Sequence, residues 1–299
     1  MTELELGPLR FGIVGAGRLG RVLAKALIAQ ELTVTSVSSA SVDGRSAATH
    51  DLQVAAFADP AQVLQGSDVV LICVPDDAIA GVALALAPHV DESAPPRVVH
   101  TSGSVGLNVL APLAAAGCVT LSLHPLQTIT ERSTPHDLRG AAAAITAAEP
   151  AVQTFGHALA HALGMLPFDL TDEVRPLYHA AASLAANFTV TLQAAVRELT
   201  GIAGIHESVA AHAFASLART ALERVERDGP ADALTGPIVR GDVGTVIAHL
   251  AALDAAAPAV AALYRPLANA TVNLALTSGR LEVDTAGELD MAIRERVQA

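Results

Sequence analysis

The sequence predicts an α/β protein: a doubly wound, largely parallel sheet over residues 1–171, followed by an all-helical region over residues 172–299. Three observations lead there. Short apolar runs alternate with helical segments through the first part, which is the rhythm of βαβ units. One of those runs, Asp68-Val69-Val70-Leu71-Ile72-Cys73-Val74, is apolar on both faces, as a central parallel strand must be. Beyond Thr171 strand-like runs stop and alanine-rich segments take over, alanine favouring helix because it has no side-chain entropy to lose.

The first strand is expected at residues 10–14; it breaks at Gly15-Ala16-Gly17-Arg18-Leu19-Gly20 and resumes as a helical pattern over 22–28. A β-branched run at 32–37 gives the second strand, and further strands are expected at 68–74, 97–100, 119–123 and 141–145. Right-handed crossovers would layer their helices on both faces. In the second part, helices are expected over 172–199, 206–227, 243–253 and 258–277, separated by turn residues at Gly201, Gly204, Gly229-Pro230 and Thr235-Gly236-Pro237.

Composition excludes several functions. With 52% hydrophobic and 16% charged residues the chain can bury a large core, which rules out a disordered or fibrous protein. No stretch of about 18 residues stays free of polar groups, so no membrane span is expected. The net charge of −12 comes with no basic run, and nucleic acid is not an expected partner. Cys73 and Cys118 lack metal-ligand or redox spacing and read as buried small hydrophobes in a reducing compartment; no metal site is expected. Glu3 and Glu5, with no apolar run before the first strand, do not fit a secretory signal, so a cytoplasmic location is expected. Lysine occurs once, at Lys25.

Gly15-x-Gly17-x-x-Gly20, following the first strand and opening a helix, has the arrangement that binds a dinucleotide. The first glycine makes the tight turn, the second clears the approach of the pyrophosphate, and the third lets helix pack on strand. Ala16, Arg18 and Leu19 complete the loop, and the helix N-terminus meets the phosphates. At the end of the second strand an acidic side chain would select NAD. Here the strand runs out in Ser38 and Ser39, with Arg45 beyond; hydroxyls and a guanidinium suit a 2′-phosphate, so NADP(H) is favoured over NAD. Asp43 lies close, and Arg45 also reads as a solvated loop residue.

Three more motifs fall at the carboxyl ends of expected strands, the edge where open α/β sheets bind ligands. They are Val74-Pro75-Asp76-Asp77, His100-Thr101-Ser102-Gly103-Ser104 and His124-Pro125-Leu126-Gln127-Thr128. Together with Tyr178-His179-Ala180-Ala181-Ala182, Asn187 and the run Leu234 to Asp242, they make the chain resemble the Rossmann-like family whose second half is the domain DUF2520. The resemblance covers nearly the whole length. It extends more widely to ketopantoate reductase, pyrroline-5-carboxylate reductase and the 3-hydroxyisobutyrate dehydrogenases. It implies a Rossmann-like half and a helical half like the C-terminal domain of 6-phosphogluconate dehydrogenase, a homodimer through the helical halves, and NADPH-dependent reduction of a small 2-oxo acid, with ketopantoate as the named expectation. An imine reductase of the pyrroline-5-carboxylate type and a non-catalytic NADP-binding sensor are the alternatives.

Many such relatives use a lysine as proton donor, and Lys25 lies on the first helix, away from any cleft. His179 is the leading alternative, because the resemblance places polar catalytic groups at that helix; His179, Ser183 and Asn187 are spaced i, i+4, i+8 and are expected to share one helix face directed toward the cleft. They also read as capping and packing polars at a domain junction. His124 is the second candidate for the donor. Arg240 is a candidate to hold a substrate carboxylate, with Asp242 orienting it, although the pair equally reads as a helix-capping turn. His249 faces the same place or solvent. Ser102, Gly103 and Ser104 offer hydroxyls and backbone N–H groups near a nicotinamide, with Val74 and Pro75 beside them. His100 reads as the end of a buried strand, and Asp76 or Asp77 as the cap of the next helix.

Overall fold

A computed structural model describes residues 6–294, so Glu3 and Glu5 lie outside the described residues. Strand β1 (Arg10–Val14) leads through the glycine turn into helix α1 (Arg18–Ala29). There follow β2 (Thr33–Ser38), α2 (Val42–Leu52), β3 (Ala55–Phe57), α3 (Ala61–Leu64), β4 (Val69–Ile72) and α4 (Asp76–Leu86). The rest of the sheet region is β5 (Arg97–His100), α5 (Ala111–Ala115), β6 (Val119–Pro125), β7 (Ala142–Ala147), α6 (Pro150–Ala162), β8 (Leu166–Asp169) and α7 (Arg175–Ala185).

Among the described residues these strands form one sheet in the order β3-β2-β1-β4-β5-β6-β7-β8. The order reverses between β1 and β4, which places the turn after β1 and the loops after β4, β5 and β6 side by side along one edge. Phe11, Ile13 and Val14 of β1 and all of β4 are buried, which explains why their side chains are apolar on both faces. One face packs against Val22, Leu23 and Leu27 of α1 and Phe155 and Leu159 of α6; the other packs against Ile79, Ala83 and Leu86 of α4 and Leu113 of α5.

The sheet departs from the expected pattern in the direction of one strand and in its number of strands. β7 runs antiparallel to β6 and parallel to β8. The connection from β6 to β7 carries no α-helix, only a short 3₁₀ turn at Pro135–Leu138, and a parallel return needs a longer crossover. β3 and β8 were not foreseen: β3 is three residues long, and β8 contains Pro167 and leaves Leu166 exposed.

The chain divides into two compact units, Met1–Ala186 and Asn187–Ala299. This division includes α7 in the first unit, whereas the boundary expected near Thr171 leaves it in the second. The second unit consists of α8 (Asn187–Ile202), α9 (Glu207–Asp228), α10 (Pro230–Ala233), α11 (Val243–Ala256), α12 (Pro258–Thr277) and α13 (Val283–Arg294). Val246, Leu250, Val272, Ala275, Leu289 and Ile293 form its main core. The helix expected over 172–199 is two helices, because Ala186 departs from helical geometry at φ −107°, ψ −67°. The helix α13 was also not foreseen. Among the described residues no helix is long and apolar enough to cross a membrane.

Candidate functional site

Gly15 adopts φ +98°, and a Cβ there would lie 2.8 Å from the carbonyl carbon of Cys73, so a side chain is excluded on both counts. A Cβ at Gly20 would stand 2.1 Å from the Gly15 oxygen, the closest approach of α1 to the turn. At Gly17 a Cβ would meet nothing within 4 Å, so this position opens onto free space. The first bond inside α1 runs from the Arg21 N–H to the Gly17 oxygen, which leaves the N–H groups of Arg18, Leu19 and Gly20 at the unsatisfied helix start. The N–H groups of Gly15 and Ala16 are not part of that set. Both donate to the Ser38 oxygen, at 3.1 and 2.7 Å, tying the turn to the end of β2. Arg18 and Arg21 both pair with Glu131, at 2.7 and 3.1 Å, and hold its carboxyl below the usual range.

The loop after β2 carries no carboxylate until Asp43. Ser38 is buried, and the Ser39 N–H donates to the Phe57 oxygen. Arg45 folds back so that its Nη1 donates to the Ser39 and Ala40 oxygens, at 2.8 and 3.0 Å, leaving Nε and Nη2 without a hydrogen bond among the described residues. Lys25 is paired with Asp51 at 3.1 Å.

The loops after β4, β5 and β6 converge. Val74 and Pro75 end in the N-terminus of α4, and neither Asp76 nor Asp77 caps it; the Ser104 hydroxyl donates to the Asp76 carboxylate instead. Ser102 is buried, and its Oγ accepts from the N–H groups of Ser104 and Val105, so this hydroxyl braces its own loop rather than facing an open site. His100 ends β5 fully buried, with Nδ1 accepting from the Ser102 N–H and Nε2 without a partner among the described residues. Burial, aided by Arg175, pushes it down to about 4. Gly103 lies against the ring of His124, where a Cβ would come within 2.6 Å of Cε1.

His124 is the centre of this convergence. Its Nδ1 lies 2.7 Å from the Tyr178 hydroxyl, its ring meets Tyr178 edge-on, and the His179 ring centroid is 6.5 Å away. Burial, with help from His179 and Arg175, pushes His124 down to about 4, and burial pushes Tyr178 up to about 12. Both groups are therefore neutral at neutral pH. His179 and Ser183 sit half-buried on α7 beside them.

Arg175 opens α7 and is 1% exposed. Its Nε donates to Asp172 at 3.1 Å, Nη1 to the Ser102 oxygen at 3.3 Å and Nη2 to the Thr146 hydroxyl at 2.5 Å. Asp172 also accepts from the Leu107 N–H at 2.8 Å. One guanidinium thereby fastens the loop after β5, the end of β7 and the helix bearing Tyr178. Sequence reasoning assigned no role to Arg175 or to the Tyr178 hydroxyl. The available signals were the Asp172-x-x-Arg175 spacing at a helix start and the Tyr178-His179 pair.

The remaining expected residues belong to the second unit. Asn187 is exposed at the start of α8, and the break at Ala186 removes the continuous helix that was to align it with His179 and Ser183. Asp242 is the N-cap of α11: its carboxylate accepts from the Thr245 N–H at 3.0 Å and hydroxyl at 2.6 Å, which holds it below the usual range. Its hydrogen bonds are those of a cap, and toward Arg240 it has a charge interaction that also helps hold it down. The Arg240 N–H donates to the Gly236 oxygen at 3.3 Å, while its exposed guanidinium makes no hydrogen bond or ion pair among the described residues. His249 pairs with the Tyr264 hydroxyl at 3.1 Å. In the first unit, Gln127 turns onto its own loop, donating to the Asp137 oxygen. Cys118 is buried as expected, whereas Cys73 is partly exposed beside the turn. No group of three or more His, Cys, Asp or Glu among the described residues could hold a metal ion.

The class defined by these features is a two-part chain with a largely parallel, doubly wound sheet followed by a helical region. Residues 2–125 match a Rossmann-like domain, and residues 141–271 match the domain of unknown function DUF2520. The two matched stretches follow one another along the chain, in the order its motifs imply. It is similar to a Bacteroides fragilis protein described as a candidate NADP oxidoreductase, with 25% identity and a TM-score of 0.75 over 88% of this chain and 97% of that one. It is also similar in fold to a Thermotoga maritima protein (20% identity, TM-score 0.67, 90% of this chain and 99% of that one). A third likeness of fold is to the pyrroline carboxylate reductase of Plasmodium falciparum with NADP bound (10% identity, TM-score 0.63, 95% of this chain and all of that one). No curated protein matches the sequence.

Two stability effects follow from this geometry. Arg175→Met, which leaves Asp172, Thr146 and the Ser102 oxygen short of a partner, is expected to cost about 3 kcal/mol in urea unfolding. The Asp242 carboxyl lies below its unfolded value, so its contribution is present above the unfolded pKa and lost as pH falls through the folded one. Asp242→Ala should accordingly melt below wild type at neutral pH, with the gap narrowing as the pH of the melts falls below the ordinary aspartate value of about 3.9.

Proposed function

We propose that this chain is an NADP(H)-dependent oxidoreductase that reduces a small carboxylate-bearing substrate. The reading rests chiefly on the start of α1: the open side of Gly17 faces free space, and the N–H groups of Arg18, Leu19 and Gly20 stand unsatisfied where a diphosphate would lie. Preference for NADP(H) is supported by the loop after β2, where Ser39 and the free Nε and Nη2 of Arg45 replace the carboxylate that would bind ribose hydroxyls. The likeness to the Bacteroides fragilis protein supports the same cofactor. When bound, the reduced nicotinamide supplies a hydride. The protein orients the substrate and supplies the proton, with His124, Tyr178, His179 and Ser183 as the polar groups at the strand ends.

For the substrate we propose a 2-oxo acid, with ketopantoate, reduced to pantoate, as the first compound to try; this choice rests on the sequence resemblance alone. A cyclic imine of the pyrroline-5-carboxylate type is the second reading. The pairing of Lys25 with Asp51 favours it, because it leaves no lysine to act as an acid. Arg240, whose exposed guanidinium makes no hydrogen bond among the described residues, is the group proposed to meet a substrate carboxylate.

We also propose a homodimer formed through α8 and α9. Of the 22 residues of α9 only Ala210 is buried, while Val209, Leu217, Leu222 and Val225 are exposed, as are Phe188 and Val190 of α8. Helices in proteins draw most of their stability from a packed apolar face, and a second copy would supply it.

Calorimetric titration should find NADPH bound at least about tenfold more tightly than NADH, a difference of about 1.4 kcal/mol. Arg45→Ala should narrow that ratio, and a protein that binds neither nucleotide overturns the reading. A turnover panel with ketopantoate and pyrroline-5-carboxylate separates the two substrates. Light scattering should give twice the chain mass, shifting towards one copy in Leu217→Glu.

A further inference from the structure

We propose that the Tyr178 phenol is the group that hands a proton to a substrate carbonyl oxygen, with His124 holding it in place, so that the substrate is a carbonyl compound rather than an imine. This rests on the reading of the chain as a reductase using a reduced nicotinamide dinucleotide.

The phenol is held on several sides. Its oxygen is 2.7 Å from Nδ1 of His124, and its ring meets His124 edge-on at 5.6 Å and Phe168 at 5.9 Å. It stands one turn along α7 from Arg175, which is fastened to the sheet loops by three hydrogen bonds. His124 in turn lies on the Gly103 backbone, in the loop after β5. A dinucleotide seated on the glycine turn, with its adenosine ribose at the end of β2, extends the other way along the sheet, over the loops after β4 and β5. That is the side on which the phenol stands. His179, the donor expected from the sequence, makes a ring contact with His124 but no hydrogen bond among the described residues, so nothing fixes its ring nitrogens.

The protonation states agree with this assignment. His124, pushed down to about 4, has no second proton to give at neutral pH, whereas Tyr178, pushed up to about 12, keeps its own. When a carbonyl carbon accepts a hydride, its π pair moves onto oxygen. The phenolic O–H bond then breaks and the proton forms the product hydroxyl, leaving the electron pair on the Tyr178 oxygen. An alkoxide is more basic than a phenolate, so the transfer runs downhill. Nδ1–H of His124 donates to the phenolate, and water restores the phenol proton. An iminium substrate needs no such step, because hydride addition leaves a neutral amine.

The test joins kinetics to a measurement on the free protein. In Tyr178→Phe, kcat for 2-oxo acid reduction should fall at least about 100-fold, while KM and NADPH affinity, the control for folding, stay within about threefold. Any cyclic imine turnover should be unaffected. In the free wild-type protein, nitrogen NMR should place the His124 proton on Nδ1, moving to Nε2 in Tyr178→Phe. Carbonyl turnover that survives Tyr178→Phe overturns the donor and leaves the reductase reading standing. A wild-type protein that reduces imines only does the same, and one that binds NADPH but reduces neither class overturns both. A His124 proton on Nε2 in the free wild-type protein overturns the donor whatever the activity.

Discussion

The arrangement of the strand-end loops depends on a guanidinium taken out of water. Desolvating an arginine costs several kcal/mol, and that cost is offset only where its N–H groups find partners. Arg175 finds them in Asp172, the Ser102 oxygen and Thr146, which belong to three separate segments of the first unit. Because two of these partners are themselves bonded onward, Thr146 to the Leu170 oxygen and Asp172 to the Leu107 N–H, the loops after β5 and β8 and the start of α7 are positioned as one piece. The same buried charge also acts on its surroundings: it helps keep His100 and His124 neutral.

Polar chemistry in the first unit is concentrated at one edge of the sheet, and topology is the reason. The order reversal between β1 and β4 gathers the glycine turn and the loops after β4 and β5 side by side, and β6 extends beyond its neighbour so that His124 projects past the end of β5. The middle of the sheet, by contrast, is lined on both faces mainly by the apolar side chains of β1, β4 and β5.

Elements with strong local signatures were legible in the sequence. The strand at Arg10–Val14, the strand at Arg97–His100 and the helix Pro258–Thr277 lie where the pattern put them. The reversal of β7 was not legible, since periodicity reports burial and not direction. The break at Ala186 was hidden because alanine is itself a good helix former. The glycine turn was readable residue by residue, yet the use of its first two amides by Ser38 depends on where β2 ends in space. The pairing of Tyr178 with His124 joins residues 54 apart, and an arginine at a helix start reads as solvated unless its partners are known. Asp242 shows the converse. Its position three residues before Thr245 was a readable capping signal, and capping is the role it takes.

The near absence of burial along α9 bears on how the second unit holds together. A long helix with so little packed against it gains little from completing its own hydrogen bonds, and isolated helices in water are marginal. Its order then depends on whatever covers it, and if that is another copy of the same chain, ordering and association become a single equilibrium. The rigidity of α9 would be a property of protein concentration as much as of sequence.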